Sequence, residues 1–187
     1  GLKEGVNMEF TEKTLTQEYK FKGKIMSARV DDVELPNGRT AYREVCEHVG
    51  GVGILPIDAQ GNVVLVRQFR YPYGEVTYEI PAGKMDHGPE DAEACGVREL
   101  REENGFTAGR MVPLREIYPS PGFLTEVVYL YAALDLVPGP SQPDEDEFVE
   151  HVTMPFAELE KRIMDNEIKD GKTVVAAYRA RLKGLIG

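Results

Sequence analysis

Gly83-Lys84-Met85-Asp86-His87-Gly88-Pro89-Glu90 leads, seven residues later, into Arg98-Glu99-Leu100-Arg101-Glu102-Glu103-Asn104-Gly105-Phe106. The pattern predicts a helix from about Pro89, whose missing N–H suits a first helical position, to Asn104, with Gly105 as the stop beyond it. Residues three and four apart on a helix are neighbours, so Glu99, Glu102 and Glu103 share one narrow sector. Like charges so placed repel, and the stripe therefore reads as a place for a cation. Ala92, Cys95 and Gly96 continue the stripe backwards, and their small size lets another segment approach closely behind the acids. Clustered carboxylates suit a hard ion, held alongside substrate phosphates and water, which makes Mg²⁺ the first expectation and Mn²⁺ the second. Taken alone, a Glu-Glu pair flanked by Arg is most often a solvated face. The glycine turn, the acid at Glu90, the Arg98-Glu99 pair and the Gly105 stop together weigh against that reading.

With 187 residues the chain has the size of one domain with a small appendage, enough to bury a real core. Its 22 Lys and Arg against 32 Asp and Glu give a net charge of −10, which argues against nucleic acid or an anionic membrane as partner. A phosphate-bearing ligand must then be gripped locally, by ions and a few placed Arg or Lys side chains, because screening confines the far field to about 8–10 Å. Cys46 and Cys95 lack metal-type spacing and read as reduced thiols of a cytoplasmic protein. No apolar run approaches a membrane span, and the N-terminus lacks a signal-peptide pattern. Gly1 to Asn7 reads as an expression scar before a start at Met8.

Residues from about Tyr19 to Glu47 alternate as an antiparallel meander: Tyr19 to Lys22, Ile25 to Leu35, a Pro36-Asn37-Gly38 turn, then Thr40 to Cys46. So few residues rarely make an independent core, and the meander, residues 1–48, is expected to pack on the rest of the chain or on a second copy. A homodimer is the simplest outcome. Residues 49–187 form the second expected domain. Strands are predicted over Gly53 to Ile57, Val63 to Phe69 and Tyr78 to Pro81 before the acidic helix, then over Met111 to Tyr118, Glu126 to Leu136 and Phe148 to Met154 after it. Helices over Pro155 to Asn166 and Lys172 to Lys183 close the chain, the last with Val174, Val175, Tyr178 and Leu182 as its apolar stripe. The class is α+β, a mixed sheet between helices.

The stretch Gly83 to Phe106 resembles the Nudix box, G-x5-E-x7-R-E-U-x-E-E-x-G-U, where U is a bulky apolar residue. It departs in one place: six residues rather than five separate Gly83 from Glu90, an insertion in the loop His87-Gly88-Pro89, while the helical half keeps its spacing. The resemblance runs from about Lys20 to Lys183. It is nearest to the ADP-ribose pyrophosphatase branch, on Glu79-Ile80-Pro81-Ala82-Gly83, on Ser120-Pro121-Gly122-Phe123-Leu124-Thr125-Glu126 and on the acidic run Asp144-Glu145-Asp146-Glu147. It implies the Nudix fold, a Mg²⁺ requirement, and hydrolysis of ADP-ribose to AMP and ribose 5-phosphate. It also implies Glu99 and Glu103 as principal metal ligands, the main-chain carbonyl of Ala82 as a third, and Glu102 as an accessory catalytic carboxylate. Arg98 is assigned to holding the loop on the helix by pairing with Glu90 or Glu102. Family members that cleave ADP-ribose carry a Glu-x-Glu loop, matched here by Glu145 as base and Glu147 as an extra ligand, the two roles being interchangeable on the resemblance alone.

Arg70, at the end of Arg67-Gln68-Phe69-Arg70-Tyr71-Pro72, is the favoured phosphate contact. Arg43, contributed by a neighbouring subunit, is the second, and Ser120 completes the substrate-binding set. Tyr19, Phe21, Tyr71 and Tyr73 are candidates to stack an adenine, or else core residues. Three alternatives stand beside the main reading. One is hydrolysis of another nucleoside-diphosphate sugar such as GDP-mannose. Another is a Nudix-fold module that senses a nucleotide without cleaving it, which loss of the acids would signal. The last is an isoprenyl diphosphate isomerase, which would need a catalytic Cys outside the box; Cys46 reads more simply as core.

Overall fold

The computed structural model describes residues 9–85, 91–140 and 148–187. It divides into two compact units, Gly1–His48 with Ser120–Glu126, and Val49–Pro119 with Val127–Gly187.

The first unit is a three-stranded antiparallel sheet in the order β1 (Lys13–Lys22), β2 (Ser27–Glu34), β3 (Thr40–Glu47). The Asn-Gly turn forms as the dipeptide demands: Gly38 takes φ +79° and the Leu35 N–H donates to the Arg39 carbonyl at 2.8 Å. β1 starts at Lys13, well before Tyr19, because its polar first half pairs with the end of β2, Lys13 opposite Glu34 and Gln17 opposite Asp31. Every residue of β1 is exposed. Cys46 on β3 is half-buried and joins the segment Ser120–Glu126: its N–H donates to the Phe123 carbonyl at 2.7 Å, and its carbonyl accepts from the Thr125 N–H at 2.9 Å.

The second unit holds β4 (Gly51–Pro56), β5 (Asn62–Arg70), β6 (Glu75–Glu79), β7 (Ala82–Lys84), α1 (Ala92–Asn104), β8 (Phe106–Ile117), β9 (Val128–Pro138), β10 (Glu150–Pro155), α2 (Phe156–Met164) and α3 (Gly171–Leu182). One sheet runs β7-β4-β9-β8, with β4 parallel to β9 and the other neighbours antiparallel; a second runs β10-β5-β6, all antiparallel. β4 is buried throughout, as a central strand covered on both faces must be. Strand alternation sorts its side chains. Val52 and Ile54, with Tyr131 and Ala133 of β9, pack with Cys95 and Leu100 of α1. Leu55, with Leu130 and Ala132, packs with Ala176, Ala177 and Ala180 of α3. The mixed sheet thus lies between α1 and α3, as anticipated.

α1 begins at Ala92, later than Pro89: Asp91 is the N-cap, its carboxylate accepting from the Ala94 N–H at 2.7 Å. Pro89 lies outside the described residues. Gly96 brings α1 close to β4, since a Cβ there would meet Val52 at 3.2 Å and Ile54 at 3.5 Å. The helix ends where expected. Gly105 adopts φ +69° and its N–H donates to the Arg101 carbonyl at 3.0 Å.

The buried face of α3 differs from the expected stripe. It is Thr173, Ala176, Ala177 and Ala180, with Leu182 86% exposed, because small residues let the helix axis approach the sheet and rotate the branched ones to the flank. β7 went unforeseen; three residues carry no periodicity, and pairing with β4 alone defines it.

Replacing Gly105 with Ala forces an L-residue into the left-handed region and is expected to lower unfolding stability by about 1–2 kcal/mol. Urea titration reads this directly, and an unchanged midpoint would contradict the capping role.

Candidate active site

Of the acids on α1, Glu99 is the one turned inward, with 8% of its surface exposed. A Cβ at Gly83 would collide with Cγ, Cδ and Oε1 of Glu99, so the carboxylate fits against β7 only because residue 83 has no side chain. Pairing of β7 with β4, Val52 opposite Gly83 and Gly53 opposite Ala82, fixes the main chain that forms this cradle. Arg98 lies across the stripe, Nη1 donating to Glu99 Oε1 at 2.8 Å and to Glu102 Oε2 at 3.0 Å. Of the two partners expected for Arg98, Glu102 is the one observed, and Glu90 lies outside the described residues. Cys95 is buried and makes weak contacts to the Lys84 carbonyl and to Arg98 Nη2, both at 3.6 Å. Glu103 is half-buried on the same stripe.

Hard carboxylate oxygens, one of them sunk beside main chain that a side chain would have filled, fit a hard divalent ion, and Glu99, Glu103 and the Ala82 carbonyl are residues that could hold one. With Arg98 bridging two of the acids, no three His, Cys, Asp or Glu side chains among the described residues converge as a ready-made cage.

Arg70 ends β5 beside a second charged cluster. Its Nε and Nη2 donate to Glu79 Oε2 and Oε1 at 2.7 and 2.8 Å, a bidentate pair. Glu79 is 3% exposed and also accepts from Thr77 Oγ1, at 2.6 Å, and from Lys172 Nζ. Burial alone would raise its pKa, but the bonds from Arg70, Lys172 and Thr77 outweigh that and hold it down to about 2. The same pair raises Arg70 above the ordinary guanidinium value, with the charge of Glu103 adding to the effect. Arg70 is therefore an electrostatic neighbour of the acidic stripe while its fork is given to Glu79.

The other expected residues fall as follows. Arg43, on β3 in the first unit, forms a bidentate pair with Glu12 at 2.9 and 2.6 Å. Ser120 starts the short segment of that unit, and its carbonyl accepts from the Leu124 N–H at 3.0 Å. Tyr19, Phe21, Tyr71 and Tyr73 are all exposed, and none is core. Glu145 and Glu147 lie outside the described residues. Glu79, Lys172 and Thr173 escaped the sequence reading. The available signal was a lone carboxylate at the end of a strand otherwise bound for the core, and an Asp170-Gly171-Lys172-Thr173 cap ahead of a helix.

Residues 47–175 match the NUDIX domain. The chain belongs to the Nudix family. Residues 12–45 match the nucleoside diphosphate sugar hydrolase N-terminal domain. An ADP-ribose pyrophosphatase of Bacillus subtilis (strain 168) is 39% identical over 174 residues, 92% of this chain and 94% of that protein. A methanol dehydrogenase activator of Bacillus methanolicus is also 39% identical, over 176 residues, 93% of this chain and 95% of that one. A crystal structure of an ADP compounds hydrolase superposes with a TM-score of 0.81 at 25% identity, covering 95% of this chain and 98% of that one. The α+β Nudix fold read from the sequence is thereby established, and the chain is a Nudix pyrophosphohydrolase. Nudix hydrolases generally use divalent metal ions, in keeping with the donor set on α1.

Because the Glu79 pKa is depressed on folding, its contribution to stability is present in full above the unfolded value near 4.5 and is lost as pH falls toward about 2. The shift corresponds to a few kcal/mol. Glu79→Gln should therefore cost roughly 3 kcal/mol at neutral pH, where it leaves Arg70 and Lys172 without their shared counter-charge. The two stability curves should converge in acid, and parallel curves from pH 7 to 2 would refute the assignment.

Proposed function

We propose that this enzyme hydrolyses the pyrophosphate bond of ADP-ribose, giving AMP and ribose 5-phosphate, with Mg²⁺ as its ion and Mn²⁺ as a substitute. The observation that carries the proposal is Glu99 sunk in the Gly83 cradle on a helix stripe shared with Glu102 and Glu103. The sequence relationship to an ADP-ribose pyrophosphatase over nearly the whole of both chains supports the choice of substrate.

In the reaction the oxygen of a water molecule bonds to one phosphorus, the bridging P–O bond breaks, and the bridging oxygen leaves with the other phosphate. The bound ion supplies neutralisation of the phosphate oxygens and a more acidic water. Glu99 and Glu103, with the Ala82 carbonyl, would hold it, and Glu102 supports the stripe through Arg98. Glu145 takes the proton from the attacking water, with Glu147 as a further ligand. Arg70, Arg43 and Ser120 make up the substrate-binding set.

The enzyme acts as a cytoplasmic homodimer, with residues 1–48 as the pairing element and residues 49–187 as the hydrolase domain. The first unit leaves Leu15, Phe21 and Tyr42 exposed on a sheet, and Ile25 in the β1–β2 connection, with too little structure to shelter them, and a second copy of the chain would cover them. The net charge of −10 disfavours nucleic acid and anionic membranes as partners. Among the described residues no helix is long and apolar enough to cross a membrane.

Incubation with ADP-ribose, ADP-glucose and GDP-mannose, with and without Mg²⁺, tests the assignment. ADP-ribose should turn over fastest and only with the ion, with Glu103→Gln lower by orders of magnitude and Glu145→Gln by about 10²–10⁴-fold. Faster cleavage of GDP-mannose would transfer the assignment to that sugar nucleotide. Sedimentation at working concentration should give twice the chain mass; a compact monomer would remove the shared-site role of Arg43.

A further inference from the structure

The N-terminus of α3 grips the end of β6 and the residue after it. Lys172 Nζ donates to Glu79, and the Ile80 N–H donates to Thr173 Oγ1 at 2.8 Å. Asp170, the cap of α3, accepts from the Thr173 N–H at 3.1 Å, from the Thr173 hydroxyl, and from Lys172 Nζ at 3.0 Å. Thr173 is fully buried, so its hydroxyl has no water to fall back on. From Ile80 the chain runs straight into the cradle: the Pro81 carbonyl accepts from the Ile54 N–H at 2.9 Å, Ala82 sits opposite Gly53, and Gly83 receives Glu99. On its other side Glu79 fixes the fork of Arg70.

We infer that Thr173 and Lys172 are positioning residues for the divalent-ion site: through Ile80 and Glu79 they set the main chain of Ala82 and Gly83 against Glu99, and they touch neither ion nor substrate. The inference rests on the proposed ion site on α1 and adds to it a dependence on a helix from the opposite face of the sheet. Outer supports of this kind typically change metal affinity by about 10–100-fold when removed.

Mn²⁺ binding to the full chain without nucleotide, followed by electron paramagnetic resonance of the free ion, tests this apart from turnover. Thr173→Val and Lys172→Met should each weaken binding about 10-fold or more, Thr173→Ser should restore it, and Leu159→Ala, a core truncation on α2, should lower the melting temperature while binding as the wild type does. If Thr173→Val does not fold, Lys172→Met decides. Wild-type affinity in both variants would overturn the positioning role and leave the proposed hydrolase intact. Equal weakening in Leu159→Ala would overturn it as well, by showing that general loosening suffices. A wild-type chain that binds no Mn²⁺ would overturn the ion site itself and this inference with it.

Discussion

Glu99 reaches the main chain of Gly83 only because that residue lacks a Cβ, and the arrangement of the acidic stripe follows from this contact. For the carboxylate to arrive there, α1 must lie close to β4, which Gly96 and the buried Cys95 permit. For the cradle to be waiting, β7 must be held in register with β4, although three residues have little pairing strength of their own. Local propensity supplies neither condition. Both come from packing on the two faces of one mixed sheet, with α1 behind Val52 and Ile54 and α3 behind Leu55 and Leu130.

A chain with a net charge of −10 that buries carboxylates must answer each one locally. Glu79 is answered by Arg70, Lys172 and Thr77, and Glu99 by Arg98, so the two buried glutamates at the site are satisfied differently. Around Glu79 the cations come from β5 and α3, distant in sequence, and the result is a fixed strut. At Glu99 one cation is the preceding residue on the same helix, a local partner rather than one brought from afar by the fold.

The stripe itself was legible because helix period and residue type both survive in one dimension: Glu99, Glu102 and Glu103 stand on one sector, and Gly105 stops the helix as its conformational freedom suggested. The strand over Gly53 to Ile57 and the Asn-Gly turn after β2 were legible for the same reason. What could not be read were pairings fixed by tertiary contact. β7 is too short to show a period, and the polar Lys13 to Glu18 half of β1 gains its strand character from β2. The face of α3 was misjudged because Val174, Val175 and Leu182 outrank alanine in hydrophobicity, whereas close approach to a sheet selects for size. Arg70 was singled out for its charge, but its engagement with Glu79 depends on the β5–β6 hairpin bringing the two together, Arg70 opposite Glu75 and Val66 opposite Glu79.

Arg98 straddling Glu99 and Glu102 means that the acidic edge carries a tethered counter-ion of its own. Repulsion among its carboxylates is relieved before any dissolved ion arrives, in contrast to small domains that stay unfolded until metal gathers their ligands. The guanidinium neutralises part of the stripe from within the same helix, so these carboxylates are oriented by the fold itself.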